Sequence, residues 1–267
     1  EAGNAVGTRG HSSETNCRGH VVLLGHMDTV PGEIPVRIEG DTLHGRGSVD
    51  AKGPLAAFII GAAAANIPDG VRITVVGAGE EEAATSKGAR HIAEQFRGEN
   101  ILACFIGEPS GWDGVTLGYK GRLLLDFALK RPCSHSAGPD ESAAEACANW
   151  WQSIRERAAR FNEGRTRLFD QLLPSLRHIN STSDGLHETA EATVGLRLPP
   201  NFDTNEFIPF AQASASDAVV TARGHEPAHE SQRTDPAARA LVVAVRAEGG
   251  TPTLKIKTRT ADMNVVS

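Results

Sequence analysis

The sequence predicts an α/β fold in which helices flank a mostly parallel sheet and a smaller α+β region is inserted. Across residues 1–119, short apolar runs alternate with helical stretches, and this alternation is typical of a parallel sheet covered by helices. The pattern changes near Gly121 to a strand–helix–strand–strand–helix order. We therefore expect one domain from residues 1–119 and 231–267, and an inserted domain from residues 120–230.

The elements are predicted from apolar patterning and from the turn residues that flank it. In the first domain they are strand Val21–Leu24, a hairpin within residues 34–44, a largely buried helix Ala51–Ile67, strand Arg72–Val76, helix Ser86–Phe96 with Ser86 as its N-cap, and strand Ile101–Ile106. In the inserted domain they are strand Leu123–Leu129, helix Glu141–Phe161, strands Leu173–Ile179 and Glu191–Leu198, and helix Asn205–Ala213. Helix Thr234–Glu248 and strand Thr253–Lys257 return to the first domain.

The composition excludes several classes of protein. A net charge of −6 argues against nucleic-acid binding, which favours a basic surplus. The apolar runs are too short, and too often broken by Gly and Pro, to cross a bilayer. The four cysteines show no C-x-x-C spacing, which indicates free thiols in a reducing cytosol. We therefore expect a cytoplasmic protein with no nucleic-acid or membrane partner.

One histidine and several acidic residues lie just beyond the predicted strands and in one glycine-rich turn. They are His26, Asp28, Asp50, the triplet Glu80-Glu81-Glu82, and Glu108. Ligands bind beyond the carboxyl ends of strands in open α/β sheets, so the fold is expected to gather these side chains. One imidazole with several carboxylates suits a pair of divalent ions such as Zn²⁺ and metal-assisted hydrolysis. Taken singly, a His-x-Asp pair or a Glu triplet is usually a solvated surface feature, and only the combination favours a site.

Together these motifs resemble the co-catalytic zinc aminoacylases, deacylases and carboxypeptidases, which include acetylornithine deacetylase. The matching runs are Gly-His-Met-Asp-Thr-Val-Pro, Gly-Arg-Gly-Ser-Val-Asp-Ala-Lys-Gly, the Glu triplet and Gly-Glu-Pro. The run Gly-Glu-Pro-Ser-Gly-Trp-Asp-Gly-Val-Thr-Leu-Gly-Tyr-Lys-Gly-Arg is similar to the branch that releases lysine or ornithine from the LysW amino-group carrier protein. The resemblance implies a zinc-peptidase-like sheet domain with an inserted dimerisation (lid) domain.

The resemblance also implies a role for each residue of the predicted site. His26 would bind one of two zinc ions, and Asp28 would orient it by a hydrogen bond to its other ring nitrogen. Asp50 would bridge the two ions, and Glu108 would be a terminal ligand. A cis peptide bond is expected between Asp50 and Ala51.

The Glu triplet would supply a general base followed by a metal ligand. The frame stays open between Glu80 with Glu81 and Glu81 with Glu82, and we favour Glu80 as the base and Glu81 as the ligand. His135 would stabilise the developing oxyanion in the site of the partner subunit. Arg197 would bind a substrate carboxylate. For His135 and Arg197 the alternative is a solvated side chain without such a role.

The resemblance further implies two zinc ions per subunit, with Co²⁺ as a possible substitute, and a homodimer formed through the inserted domain. The substrate would be an acylated basic amino acid or an acidic carrier protein that bears one. Between Lys120 and Asn180 the sequence has ten Lys or Arg and seven Asp or Glu. This basic surplus predicts a docking surface for an acidic partner; the alternative is the solvated face of a helix.

Three departures from the family pattern qualify the prediction. The opening at Glu1 lacks the family's first helix, and Ser267 precedes the family's further zinc-binding His, so we expect both ends to be truncated. Arg259 stands where the carrier-protein hydrolases usually have Gly. The alternatives are therefore an acetylornithine- or succinyl-diaminopimelate-type deacylase, or an inactive homologue that only dimerises or binds a peptide.

Overall fold

The computed structural model describes residues 3–10, 17–83, 85–133 and 140–267. The chain divides into two compact units. Unit 1 consists of Glu1–Leu117, Ser231–Lys255 and Ala261–Ser267, and unit 2 of Gly118–Glu230 and Ile256–Thr260. These limits lie close to the predicted domain boundaries except that residues 256–260 group with unit 2, and the domain assignment itself stays a prediction.

The elements follow one another as strands β1–β13 and helices α1–α6. The first part has β1 Ala5–Gly10, β2 Gly19–His26, β3 Arg37–Glu39, β4 Thr42–His44, α1 Lys52–Ala64, β5 Val71–Ala78, α2 Lys87–Gln95, β6 Ile101–Ile106 and β7 Gly114–Tyr119. The middle part has β8 Gly121–Pro132, α3 Ala143–Asn162, β9 Leu173–Ser183, β10 His187–Leu198, α4 Thr204–Ala213, β11 Val219–Glu226 and β12 His229–Glu230. The last part has α5 Pro236–Ala247, β13 Thr253–Lys257 and α6 Met263–Val266.

The main sheet of unit 1 has the strand order β1-β5-β2-β6. β2 runs parallel to both β5 and β6, and β1 joins the edge antiparallel to β5. The predicted mostly parallel sheet is therefore confirmed, as is the hairpin, which is the β3–β4 pair. Strand β1 was not predicted, because all six of its residues are exposed and its pairing needs only backbone groups.

Helix α1 packs on one face of this sheet through Leu55, whose side chain lies against Gly25 and Gly77. A Cβ on either glycine would lie 3.3 Å from Leu55, and one on Gly77 would also collide with Met27 at 2.8 Å, so the close approach depends on glycine. The prediction that the helix is largely buried is wrong. Ile59 and Ile60 are 54% and 70% exposed, so α1 keeps part of its apolar surface outside the core.

Unit 2 is built on an antiparallel sheet of order β11-β8-β10-β9. Alternate residues of the strands point to one face, and there Leu125, Phe127 and Val194 pack under α3 and α4. Trp150 of α3 donates its indole N–H to the carbonyl of Ala211 at 2.9 Å, which satisfies its buried polar group. The predicted strand–helix–strand–strand–helix order is present as β8, α3, β9, β10 and α4, and strand β11 follows it.

Helix α3 begins at a capping box, in which the hydroxyl of Ser142 and the carboxylate of Glu145 satisfy each other's backbone N–H groups. Helix α2 begins differently. Ser86 is its N-cap residue, as predicted, but lies in the left-handed region with φ 42° and makes no side-chain capping bond to the helix. None of the described helices is both long and apolar enough to span a membrane.

A buried polar cluster lies at the start of β2. The Nδ1 of His20 lies 2.8 Å from the Glu99 carboxylate, and its Nε2 lies 2.8 Å from the Thr74 hydroxyl. Because a carboxylate only accepts, Nδ1 carries the proton and the neutral Nε2 accepts from Thr74. Burial, with a smaller effect of the Arg72 charge, lowers the pKa of His20, against the opposing effect of Glu99.

This cluster predicts that acid destabilises the fold through His20. Because the folded-state pKa lies below the ordinary value of about 6.5, the unfolded chain takes up the proton first. The contribution of His20 to stability is complete above pH 6.5 and is lost as the pH falls through the folded-state pKa, with a slope of at most about 1.4 kcal/mol per pH unit. Urea unfolding from pH 7.5 to 5 measures it.

The comparison is with His20→Gln, whose unfolding free energy should depend less on pH over this range, because one titrating group is removed. His91→Gln, at an exposed position of α2, is the control and should keep the wild-type slope. Parallel pH profiles for wild type and His20→Gln would contradict the prediction.

Candidate metal centre

His26 ends strand β2 and is buried, with 1% of its surface exposed. Its Nδ1 lies 2.9 Å from the backbone carbonyl of Asp28, so Nδ1 carries the proton. Its Nε2 faces two carboxylates, 3.2 Å from Asp50 Oδ1 and 3.9 Å from Glu108 Oε1. A neutral His26 therefore presents a lone pair to two acceptors, and either a second proton or a cation must lie between them.

Asp50 and Glu108 reach His26 from two different segments. Asp50 stands two residues before the start of α1, and the peptide bond between Asp50 and Ala51 is cis, as predicted. Glu108 follows β6, where the N–H of Gly107 donates to the carbonyl of Leu24 at 2.7 Å and extends the pairing with β2. Ligand atoms of His26, Asp50 and Glu108 all lie within 4.8 Å of one another.

The Glu triplet follows β5, and Asp28 orders its backbone. The Asp28 carboxylate accepts the N–H groups of Glu81 and Glu82 at 3.2 and 3.0 Å. The hydrogen bond from Nδ1 of His26 goes to the backbone carbonyl of Asp28. The carboxylate oxygen Oδ1 of Asp28 lies farther from Nδ1, at 3.6 Å. Ligand atoms of His26, Glu81 and Glu82 form a second group within 4.8 Å.

Glu80 lies in the left-handed region with φ 63°, and its carboxylate is directed elsewhere. It accepts the Thr85 hydroxyl at 2.9 Å and lies 3.9 Å from Lys87 Nζ. Of the triplet, Glu81 and Glu82 are the members whose carboxylates group with His26. The assignment of base and ligand within the triplet stays a prediction.

Burial and neighbouring carboxylates raise the pKa of two acids in this region, Glu81 and Asp262. Burial raises the pKa of Glu81 to about 8, with further contributions from Glu108 and Asp262. Burial likewise raises the pKa of Asp262 to about 6, against the opposing effect of His26. Burial lowers the pKa of His26, but Glu81, Glu108 and the bonds to Asp28 and Asp50 outweigh it, and the net shift is upward. The centre therefore holds more negative charge than its own protein groups neutralise.

This donor set fits a divalent cation. Carboxylates with one imidazole suit Zn²⁺ and related ions, and donor atoms around a tetrahedral zinc are about 3.3 Å apart, near the 3.2 Å from His26 to Asp50. Oδ1 of the buried Asp262 also has no hydrogen-bond partner among the described residues. Sequence reasoning missed Asp262, because it is a lone acid in Thr-Ala-Asp-Met-Asn with no metal-ligand spacing.

The remaining predicted residues belong to the other unit or lie outside the described residues. His135 lies outside the described residues. Arg197 belongs to β10 of unit 2, where its guanidinium donates to the hydroxyl of Thr260 at 2.7 Å. Arg259 is exposed.

Comparison with known proteins identifies a family. The profile of Peptidase family M20/M25/M40 matches residues 22–264. The chain is 48% identical to a [LysW]-lysine hydrolase of Deinococcus radiodurans over all of its own length and 74% of that protein. It is 39% identical to a proposed [LysW]-lysine/[LysW]-ornithine hydrolase of Thermococcus kodakarensis, over its whole length and 67% of that protein.

Solved structures share the fold at low sequence identity. An M20 family metallo-carboxypeptidase of Sulfolobus solfataricus superposes with a TM-score of 0.72 at 16% identity, covering 98% of this chain and 76% of its own. The aminopeptidase PepT of Bacillus cereus gives a TM-score of 0.72 at 17% identity, covering 99% of this chain and 73% of its own.

The turn that carries the Glu triplet depends on a close approach at Gly88. A Cβ there would lie 2.5 Å from Asn4 Oδ1 and 2.7 Å from the backbone N and O of Gly79. Gly88→Ala should therefore cost about 1–3 kcal/mol of unfolding free energy, measured by urea denaturation. Gly61→Ala is the matched control, since a Cβ at this exposed site in α1 meets nothing within 4 Å, and it should stabilise by about 0.5–1 kcal/mol. Equal stability of the two variants would refute the steric argument.

Proposed function

The chain belongs to Peptidase family M20/M25/M40, and on this premise we propose that it is a divalent-metal-dependent hydrolase that releases lysine or ornithine from an amide linkage to LysW. The observation that carries the proposal is the convergence of His26, Asp50 and Glu108 in one group and of His26, Glu81 and Glu82 in another. The names of the relatives in Deinococcus and Thermococcus support the substrate.

We propose zinc as the metal, two ions per subunit, with Co²⁺ as a substitute. His26 and Glu108 would hold one ion, Glu82 would contribute to the other, and Asp50 would bridge them. When bound, such ions supply the positive charge that polarises an amide carbonyl and acidifies water. The surplus negative charge around His26 supports this assignment.

The protein's own side chains would supply the general base and would orient the metal-binding residues. Glu81 would act as the general base, because it lies beside His26 and its burial favours holding a proton. Asp28 would keep His26 in the Nδ1–H tautomer through its carbonyl and keep Glu81 and Glu82 in place through its carboxylate.

The substrate would also meet residues of the inserted domain. We propose that Arg197 binds the α-carboxylate of the leaving amino acid and that His135 donates to the oxyanion in the partner subunit of a homodimer. The dimer would form through residues 120–230. The four cysteines are free thiols, which supports the predicted cytoplasmic setting.

The test of the proposed function is amide hydrolysis with and without metal. Wild-type protein loaded with Zn²⁺ or Co²⁺ should release lysine or ornithine from the LysW conjugate, and chelation should abolish release. Asp50→Asn should lower kcat by at least about 100-fold and reduce the bound metal, because the bridging charge is lost. Mass spectrometry of the released amino acid and elemental analysis measure the two effects.

Acetylornithine and acetyl-lysine serve as the comparison substrates. Faster turnover of these than of the conjugate would identify a deacylase instead. A metal content in Asp50→Asn equal to that of wild type would reject the bridging role, and no hydrolysis of any substrate by the metal-loaded wild type would reject the function.

The basic residues of helix α3 and the turn after it are the proposed docking surface for the carrier. Arg157 is already paired with Glu206, and Arg167 lies near Asp170 and Glu230. Among the described residues, no ion pair joins Arg155 or Arg160 to a carboxylate, and both are exposed. Arg155 and Arg160 would therefore contribute most to steering an acidic partner.

Reversing both charges tests this surface. Arg155→Glu with Arg160→Glu should lower kcat/KM for the LysW conjugate roughly tenfold at low salt, and the difference should shrink above about 0.1 M ionic strength. Turnover of acetyl-lysine should not change. Arg239→Glu, at an exposed position of α5 in the other unit, is the control. Equal losses on both substrates, or none on the conjugate, would mean that the surface is only a solvated helix face.

A further inference from the structure

Asn4 lies directly before β1, beside the point where β5 ends and the chain continues into the Glu triplet. Ala5 is the first residue of β1 that pairs with β5, and it stands opposite Gly77. Since the two strands are antiparallel, this register carries Asn4 to the last residues of β5. The side chain of Asn4 therefore stands where the chain leaves the sheet for the metal centre.

The Asn4 amide bonds the two glycines that flank the triplet. Its Nδ2 donates to the carbonyl of Gly88 at 2.9 Å, and its Oδ1 accepts the N–H of Gly79 at 3.3 Å. The N–H of Gly88 in turn donates to the carbonyl of Gly79 at 3.0 Å. One partner only accepts and the other only donates, so they determine which end of the amide is nitrogen. The three bonds form a closed ring that ties Gly79 to Gly88.

This ring is tightly packed and also completes the start of α2. Gly88 is buried, and a Cβ on it would lie 2.5 Å from Asn4 Oδ1 and 2.7 Å from the backbone of Gly79. The N–H of Gly88 is among the first of α2, which have no partner within the helix, and the Ser86 side chain does not cap them. The ring supplies a partner for one of these groups.

The triplet is therefore held at two levels. The ring closes its base at Gly79, and the Asp28 carboxylate accepts the N–H groups of Glu81 and Glu82 further along. Glu81 follows Gly79 by two residues, so movement of Gly79 displaces Glu81 directly. The carboxylates of Glu81 and Glu82 group with His26 within 4.8 Å, and such a set has to be held to within about 0.5 Å.

We propose that Asn4 is a positioning residue of the metal centre: by tying Gly79 to Gly88, it fixes the segment that presents Glu81 and Glu82 to a divalent ion. The inference rests on the proposed function, since it requires that the centre binds such an ion. The amide of Asn4 bonds backbone groups of the segment and acts on the metal through them.

Asn4→Ala removes both bonds of the amide. The dissociation constant for Co²⁺ and for Zn²⁺ should rise roughly 10-fold, as for other residues that orient metal ligands. In the metal-free protein, the peptide that contains Glu81 and Glu82 should exchange its amide hydrogens roughly 10-fold faster, because the segment opens more often without the ring. Titration calorimetry and hydrogen exchange followed by mass spectrometry measure the two effects.

Thr8→Ala is the matched control in the same part of the chain. The Thr8 hydroxyl lies 3.0 Å from the Thr74 hydroxyl, so this variant also removes a polar contact between the segment of β1 and β5. Both variants should lower the melting temperature of the metal-free protein by a few degrees. Thr8→Ala should leave the metal dissociation constants and the exchange of the triplet peptide unchanged.

Asn4→Asp is the second variant and replaces Asn4→Ala if that protein does not fold. The aspartate keeps an acceptor for the N–H of Gly79 but loses the donor to the carbonyl of Gly88. A negative charge added near the centre would by itself favour a cation. A rise in the metal dissociation constant, expected to be at least about threefold, can therefore come only from displacement of the segment.

The outcomes separate the inference from the proposed function. A wild-type chain that binds neither Co²⁺ nor Zn²⁺ overturns the proposed function and the inference with it. Where wild type binds metal, an unchanged dissociation constant in Asn4→Ala, or in Asn4→Asp as its replacement, overturns the inference alone. Weaker metal binding without faster exchange, or an equal weakening in Thr8→Ala, overturns it as well, because the effect then does not pass through the ring.

Discussion

The parallel register of β2 with β5 and β6 is the constraint on which the candidate metal centre depends. His26 lies opposite Ala78 in this register, so the ends of β2 and β5 leave the sheet at the same level. On the other side, the bond from Gly107 to Leu24 continues the pairing of β6 with β2 and brings Glu108 beside His26. A slip of one residue would turn His26 to the opposite face of the sheet.

Gathering carboxylates at one edge of a sheet is electrostatically unfavourable. Local hydrogen bonds offset part of this unfavourable free energy. Asp28 accepts two backbone N–H groups from the Glu triplet, and its carbonyl holds the one imidazole in the tautomer that leaves Nε2 towards Asp50 and Glu108. These bonds orient the ligands without neutralising them. Burial, with smaller contributions from Glu108 and Asp262, raises the pKa of Glu81. A divalent ion is the simplest group that would neutralise the negative charge of these carboxylates.

Unit 2 is stabilised by apolar packing and by hydrogen bonds to buried polar groups. Its antiparallel strands bury alternate apolar residues under α3 and α4, while polar side chains occupy the opposite positions. Lys120 is fully buried, and its ammonium donates to the carbonyls of Leu168, Phe169 and Gln171; burial lowers its pKa to about 8. The hydroxyl of Thr260 donates a hydrogen bond to the carbonyl of Lys120. The oxygen of the same hydroxyl accepts a hydrogen bond from Arg197.

The sequence by itself determined the strands that carry the centre, since β2, β5 and β6 follow from apolar runs and turn residues that act locally. It also determined which acids could form a site, because their motifs follow the strands in order. Tertiary structure decided how the backbone of the Glu triplet is held, through bonds from Asp28 to Glu81 and Glu82 across 53 and 54 positions of sequence. It likewise decided that the Ser86 side chain makes no capping bond to α2, and that α1 keeps an exposed apolar face. These outcomes depend on which distant backbone groups come within hydrogen-bonding distance and on which surfaces are covered, and neither is encoded in local periodicity.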